Sequence, residues 1–226
     1  MSRSGRAGAR VCAVVAVFAA AAVTGPVVPA AGAECAGHVG LSFDDGPGDT
    51  TAELVSALRE NGLRATMFNL GGNAASTPQL VASQVEAGMW VGNHSYGHPH
   101  MTELTESEMD DEISRAQKAI ADAGGGVPEL FRPPYGETDE TLRAVAEARG
   151  LTQVLWDVDS MDWNGATVDQ IVQAVAGLTD GEVVLLHDWP PHTLAAIPRI
   201  ADALEREGLC SGEISPETGR AVAPDA

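Results

Sequence analysis

The sequence predicts an α/β fold in a single domain: a mainly parallel sheet covered by helices, in a barrel of fewer than eight strands. Three observations predict it. Apolar runs of about five residues alternate with amphipathic stretches of about twelve, the pattern of repeated β-α units. Six such runs are clear, and a short one near Ile214 is a possible seventh. Several of the runs end in an acid, an arginine or a histidine, as they would if their ends shared one face of a barrel.

Bulk composition agrees and excludes some partners. Of 226 residues, 44% are hydrophobic, enough for one domain with a real core. With 13 basic and 32 acidic residues the formal charge is −19. No basic stretch suits nucleic acid, and an anionic membrane surface is equally disfavoured. A neutral or cationic substrate fits this charge.

Residues 1–33 read as a secretory signal peptide. Arg3, Arg6 and Arg10 precede the apolar run from Val11 to Val23. Gly25-Pro26 and Pro29 follow, then Ala31-Gly32-Ala33 as an Ala-x-Ala cleavage site. The run is shorter than the about 20 residues a membrane span needs. The expected mature domain is 34–226, exported and free of the membrane after cleavage. A lipoprotein acylated at Cys35 is the weaker alternative, because bulky, charged Glu34 stands where a small residue is expected. Cys12 leaves with the leader. Cys35 and Cys210, near the two ends of the mature chain, read as a disulfide, with two free buried thiols as the alternative.

In chain order, the first strand is Val39 to Phe43, stopped by Asp44-Asp45-Gly46-Pro47. The two acids leave the core with side chains on different sides, open to different tasks. Thr50 to Asn61 carries Leu54, Val55 and Leu58 at helical spacing and stops at Gly62. Ala65 to Asn69 is the second strand, and Gly71-Gly72-Asn73 is a loop. Ser76 with Gln79 reads as a capping box for a helix whose apolar face is Leu80, Val81 and Val85. Met89 to Asn93, the third strand, runs into His94. Thr105 with Glu108 opens a helix bearing Met109, Ile113, Ala116 and Ile120. Leu130-Phe131-Arg132 is the fourth strand, cut off by Pro133-Pro134. Thr138 begins a helix that stops at Gly150, and Thr152 to Trp156 is the fifth strand. Thr167 with Gln170 opens the helix of Ile171, Val172 and Val175. Val183 to Leu186 is the sixth strand, a last helix covers Leu194 to Glu207, and the tail after Gly212 reads as loosely structured.

Asp44-Asp45, His94, Arg132, Asp157 and His187 each follow a predicted strand, so a parallel barrel gathers them at one face. His94 and His98 are four apart. On a helical turn both imidazoles would grip one metal ion, and one Asp of the first strand would complete a set with positions left open for water and substrate. The alternative is a pair of hydrogen-bonded loop histidines, and His100 reads as a surface residue. Arg132 suits the orientation of a carboxylate, beside a stiff loop in which Tyr135 offers the first N–H after two prolines. A plain salt bridge and turn is the alternative there. Asp157, Asp159 and Asp162 lie between Trp156 and Trp163, a setting for sugar binding and for an Asp that orients a catalytic His; Asp159 reads as a turn cap. His187, at the end of a buried strand, reads as a general acid. A Gly-x-Ser-x-Gly elbow is absent, which disfavours a serine esterase.

Five blocks, Ser-Phe-Asp-Asp-Gly-Pro (42–47), His-Ser-x-x-His (94–98), Arg-Pro-Pro-Tyr (132–135), Asp-Ser-Met-Asp-Trp (159–163) and Leu-Leu-His-Asp (185–188), together resemble the polysaccharide deacetylases, carbohydrate esterase family 4 with its NodB homology domain. Their context is similar to small secreted bacterial acetylxylan esterases. The resemblance implies a distorted (β/α) barrel of about seven parallel strands. It implies that Asp45, His94 and His98 hold one divalent metal ion, Zn²⁺ or Co²⁺. Asp44 would be the general base and His187 the general acid, oriented by Arg132 and Asp162 respectively. The Tyr135 N–H would help to stabilise the oxyanion, and Trp163 and Leu185 would wall the acetyl pocket. The expected function is removal of acetyl groups from polysaccharide, O-acetylxylan first, with chitin oligomers or peptidoglycan as alternatives. A non-catalytic glycan-binding barrel is the reading from another class. A glycosidase using two of Asp157, Asp159 and Asp162 is disfavoured by the histidine pair. A monomer is expected.

Overall fold

Val39, Leu41 and Phe43 of β1 (Gly37–Asp44) are fully buried, and so is Ser42 on the other face of the strand. A strand buried on both faces belongs at the centre of a parallel sheet. In the computed structural model, which describes Met1 and residues 35–224, β1 lies there, paired in parallel with β2 (Thr66–Asn69) and β7 (Val183–His187). The full order is β5 (Thr152–Gln153), β4 (Leu130–Phe131), β3 (Trp90–Asn93), β2, β1, β7 and β6 (Val158–Asp159), with parallel pairing throughout. These seven parallel strands curl into a half-barrel, the α/β architecture expected. At the far end of β1, β8 (Leu209–Ser211) adds a further parallel pairing. Apart from Met1, the leader segment 1–33 lies outside the described residues. No described helix is long and apolar enough to cross a membrane.

The helices follow the strands: α1 (Thr51–Glu60), α2 (Gly71–Ser76), α3 (Pro78–Glu86), α4 (Glu106–Asp122), α5 (Glu140–Ala148), α6 (Val168–Ala176) and α7 (Pro191–Glu207). Leu54 and Leu58 of α1, Ile171 and Val175 of α6, and Ile197 and Ile200 of α7 join β1 and β7 in the main core. Met109 and Ile113 of α4 and Leu142 of α5 enclose Phe131 in a second cluster. Both capping boxes at Thr105 and Thr167 are formed.

Local expectations fail where tertiary contacts overrule them. Gly71-Gly72-Asn73 is helical, not a loop. Ser76 caps nothing: its hydroxyl donates to Gly72, and Pro78 begins α3 after Thr77. Val85 faces solvent and Gln84 is buried, its amide paired both ways with that of Asn69 at 2.6 and 3.2 Å. Asp139, not Thr138, caps α5. The last helix starts three residues earlier than expected, at Pro191. The fifth strand stops at Gln153. The tail is ordered: β9 (Glu213–Ile214) and β10 (Ala221–Val222) pair antiparallel and bury Ile214. Cys35 and Cys210 form a disulfide with Cα atoms 5.7 Å apart, tying the approach to β1 to β8.

β5 and β6 are the two ends of the sheet path and do not pair with each other. The carbonyls of Val154 and Leu155, just past β5, accept from the Arg132 side chain instead of a strand.

Candidate functional site

The carboxyl ends of β1, β3, β4 and β7 converge on a cavity of about 430 Å³. Register makes the convergence. Asp44 and His187 are direct partners on adjacent strands, and Asn93 pairs with Phe131, which brings His94 beside Arg132.

Asp45, His94 and His98 each offer a ligand atom, all within 4.8 Å of one another. Asp45 Oδ1 lies 3.6 Å from His94 Nε2 and 3.4 Å from His98 Nε2. The histidines do not share a helical turn, contrary to the expectation from their spacing. Ser95 (φ 65°) and His98 (φ 59°) are left-handed, and the loop is moulded by acceptors. Asn93 Oδ1 takes the Ser95 N–H, Ser95 Oγ takes that of His98, and Glu112 takes those of Tyr96 and Gly97. Asp45 (φ 72°) and Tyr135 (φ 59°) are left-handed as well. Such backbone is costly for residues other than glycine and clusters where function over-determines it.

The donor set suits a divalent cation. His94 Nδ1 lies 2.8 Å from the Arg132 carbonyl, which can only accept, so Nδ1 carries a proton and Nε2 faces the cavity. Burial and the neighbouring His94 lower the His98 pKa, against the pull of Asp45 and Asp44, which favours a neutral imidazole. Two imidazole nitrogens and one carboxylate facing one another suit a divalent cation.

Asp44, nearly buried, accepts Arg132 Nη1 at 2.8 Å on Oδ1 and directs Oδ2 to within 3.7 Å of His94 Nε2. Arg132 is wholly buried. Nη1 also donates to Ser42 Oγ, Nη2 donates to the Leu155 carbonyl, each at 2.8 Å, and Cζ lies 4.1 Å over the Phe68 ring. The guanidinium thus satisfies carbonyls just past the end of β5. Burial lowers its pKa and Asp44 opposes the change, so the guanidinium stays charged.

His187 Nδ1 sits 2.8 Å from Asp162 Oδ1. Asp162 Oδ2 accepts the His187 backbone N–H at 2.8 Å and the Thr193 hydroxyl at 2.6 Å. Burial disfavours the imidazolium, but the Asp162 hydrogen bond and charge, with Asp44 and Asp45 farther off, leave the His187 pKa raised. Leu185 and Trp163 line the cavity. The Tyr135 ring is flanked by His98 (centroids 4.5 Å) and by His100, stacked at 4.2 Å and held by Glu137 at 2.9 Å. Gly136 (φ 69°) tolerates no side chain, since a Cβ there would stand 2.7 Å from Trp156.

Asp157 is a correction. It precedes β6 instead of following a strand, and its carboxylate accepts the Val183 N–H at 2.8 Å. Asp159 caps the Met161 N–H, as expected. Sequence reasoning assigned nothing to Ser42, Glu112 or Thr193. Ser42 alone left a signal, a lone hydroxyl inside an apolar run.

The family model for polysaccharide deacetylase matches residues 31–154, more than half of the chain. The chain is 50% identical over 197 residues to a bifunctional xylanase/xylan deacetylase of Cellvibrio japonicus, covering 86% of this chain and 30% of that one. It is 36% identical over 173 residues to a peptidoglycan-N-acetylglucosamine deacetylase of Listeria monocytogenes, covering 76% and 36%. It thus spans about a third of the length of these curated relatives. Among solved structures, a family 4 carbohydrate esterase from Streptomyces lividans in complex with acetate superposes with a TM-score of 0.84 at 67% identity, covering 84% of this chain and all of that one. The chain belongs to the polysaccharide deacetylase family, carbohydrate esterase family 4.

Proposed function

We propose that this chain is a metal-dependent carbohydrate esterase that removes acetyl groups from polysaccharide, O-acetylxylan first, and that it is exported after loss of residues 1–33 and acts as a monomer. One observation carries the proposal: a carboxylate paired with Arg132 and an imidazole braced by Asp162 share one cavity with a His-His-Asp set.

Asp45, His94 and His98 would hold Zn²⁺ or Co²⁺, which when bound supplies a Lewis acid that acidifies water and polarises a carbonyl. Asp44 Oδ2, the oxygen not occupied by Arg132, accepts the proton of the attacking water. The Tyr135 N–H donates to the acetyl oxygen as negative charge develops there. His187, protonated on both nitrogens, donates from Nε2 to the departing sugar oxygen while Asp162 holds Nδ1. Leu185 and Trp163 close round the acetyl methyl. The proton thus leaves water at one residue and reaches the leaving group from another.

The 50% identity to a xylan deacetylase supports xylan as the substrate, while the peptidoglycan deacetylase at 36% keeps amide substrates as the second reading. The disulfide agrees with export. Acetate release from acetylxylan, chitin oligomers and peptidoglycan should be measured side by side. Acetylxylan is expected to be turned over fastest, with loss of activity in chelator and recovery with Zn²⁺ or Co²⁺. Full activity in demonstrably metal-free protein overturns the metal chemistry. Sugar binding without acetate release across a metal series supports the non-catalytic alternative.

A further inference from the structure

We infer that Trp189 is a positioning residue of the cation site: its indole N–H engages the outer oxygen of Asp45, leaving the inner oxygen to face the two imidazoles. The inference rests on the proposed reading of Asp45, His94 and His98 as ligands.

The two oxygens of Asp45 have different surroundings. Oδ1 faces His94 and His98, whereas Oδ2 accepts Trp189 Nε1 at 3.0 Å. That is the one hydrogen bond found on this carboxylate among the described residues. An indole N–H only donates, so it satisfies a lone pair and cannot itself compete for a cation. Asp45 stands on left-handed backbone at the exit of β1, about a quarter exposed, and without this contact its side chain would be free to turn. A carboxylate free to turn can present both oxygens to a cation or neither.

The position of Trp189 is itself held. The preceding residue, Asp188, is buried, accepts the Thr50 and Thr51 hydroxyls, and donates its N–H to the Asp44 carbonyl. The backbone before Trp189 is therefore fastened to the same β1 exit that carries Asp45. The indole ring is half exposed and stands 5.9 Å from the His187 ring. A large apolar ring kept in water, with its one polar atom on a ligand, is accounted for by positioning rather than by core packing.

Loss of such an outer partner weakens metal affinity by about 10- to 100-fold. The test is Zn²⁺ titration of metal-free Trp189→Phe by calorimetry, with the visible spectrum of its Co²⁺ form and the melting midpoint of the metal-free protein. The expected result is a Kd raised about tenfold or more, a changed cobalt spectrum and an unchanged metal-free midpoint. Trp189→Leu, which also lacks a donor, should weaken binding equally and serves if the Phe variant folds poorly. Wild-type Zn²⁺ affinity and an unshifted cobalt spectrum in both variants overturn the inference and leave the proposed function intact. Failure of the wild-type protein to bind either cation overturns the proposed function and the inference with it.

Discussion

The two sides of the cavity are built on different principles. On one, Asp44, His94 and Arg132 are almost wholly buried, and all three are held by short hydrogen bonds. On the other, Trp163, Trp189 and Tyr135 are about half exposed, each fastened by one edge or face. The contrast follows from what burial demands. An ion pair taken from water is tolerated only when fully partnered, and removing one partner strands the other. A half-exposed ring faces no such requirement and presents a flat apolar face to a ligand. The buried side suits the proposed proton transfer from water, and the exposed side leaves its rings open to a ligand.

The strongest way to break this comparison is Asp44→Asn. Turnover should fall by about 10²- to 10⁴-fold while Zn²⁺ binding by calorimetry is retained, because Asn keeps an acceptor for Arg132 but cannot take a proton. Near-normal kcat would show that the buried side does not hold the base. Next is Arg132→Met, which leaves the buried Asp44 carboxylate unpaired; urea unfolding should show a loss of about 3–5 kcal/mol. Combining it with Asp44→Asn should restore part of that loss. An unchanged midpoint in the single variant would mean that the buried pair carries no structural weight.

Asp162→Asn sharpens the comparison through pH. Asp162 raises the His187 pKa against the cost of burial, so its removal should move the alkaline limb of kcat to lower pH. The stability effects have opposite signs at the two ends. The contribution from His187 is complete below its ordinary value of 6.5 and fades as pH rises through the raised folded value. The Asp162 pKa is depressed, despite burial, by its bonds to His187 and Thr193, so its contribution is present above the ordinary carboxylate range and lost as pH falls. Wild-type stability should exceed that of the variant most between these limits, as thermal melts across pH would reveal. An unmoved alkaline limb would separate Asp162 from the acid. The smallest effect is expected for Trp163→Ala. It should admit bulkier acyl groups, narrowing the acetyl-over-propionyl ratio of kcat/KM by about tenfold, the low end of the roughly 1–3 kcal/mol that one methylene in such a pocket is worth. An unchanged ratio would remove Trp163 from the acetyl pocket.

Much of this was legible in the chain because it is locally encoded. Strand-length apolar runs, the boxes at Thr105 and Thr167 and the polar residue after each run mark β1, β3, β4 and β7 and their exits. The misreadings have a common cause. Ser76 with Gln79 has the letters of a capping box, but Pro78 sets the start of α3 and turns Gln84, not Val85, inward. Asp157 follows apolar letters yet lies on the far side of the break between β5 and β6. The i, i+4 histidines suggested a helix, but Asn93, Ser95 and Glu112 hold a loop instead.

The sequence by itself determined the alternation of strands and helices, the disulfide partners and the residues at the exits of β1, β3, β4 and β7, because hydrophobic period and turn chemistry act over a few residues. Only the tertiary structure decided that the sheet stays open between β5 and β6, that the Arg132 guanidinium takes the carbonyls past β5, and that the Trp189 indole reaches Asp45. Those outcomes depend on which carbonyls and carboxylates are left without partners once the sheet has curled, and no local pattern records that.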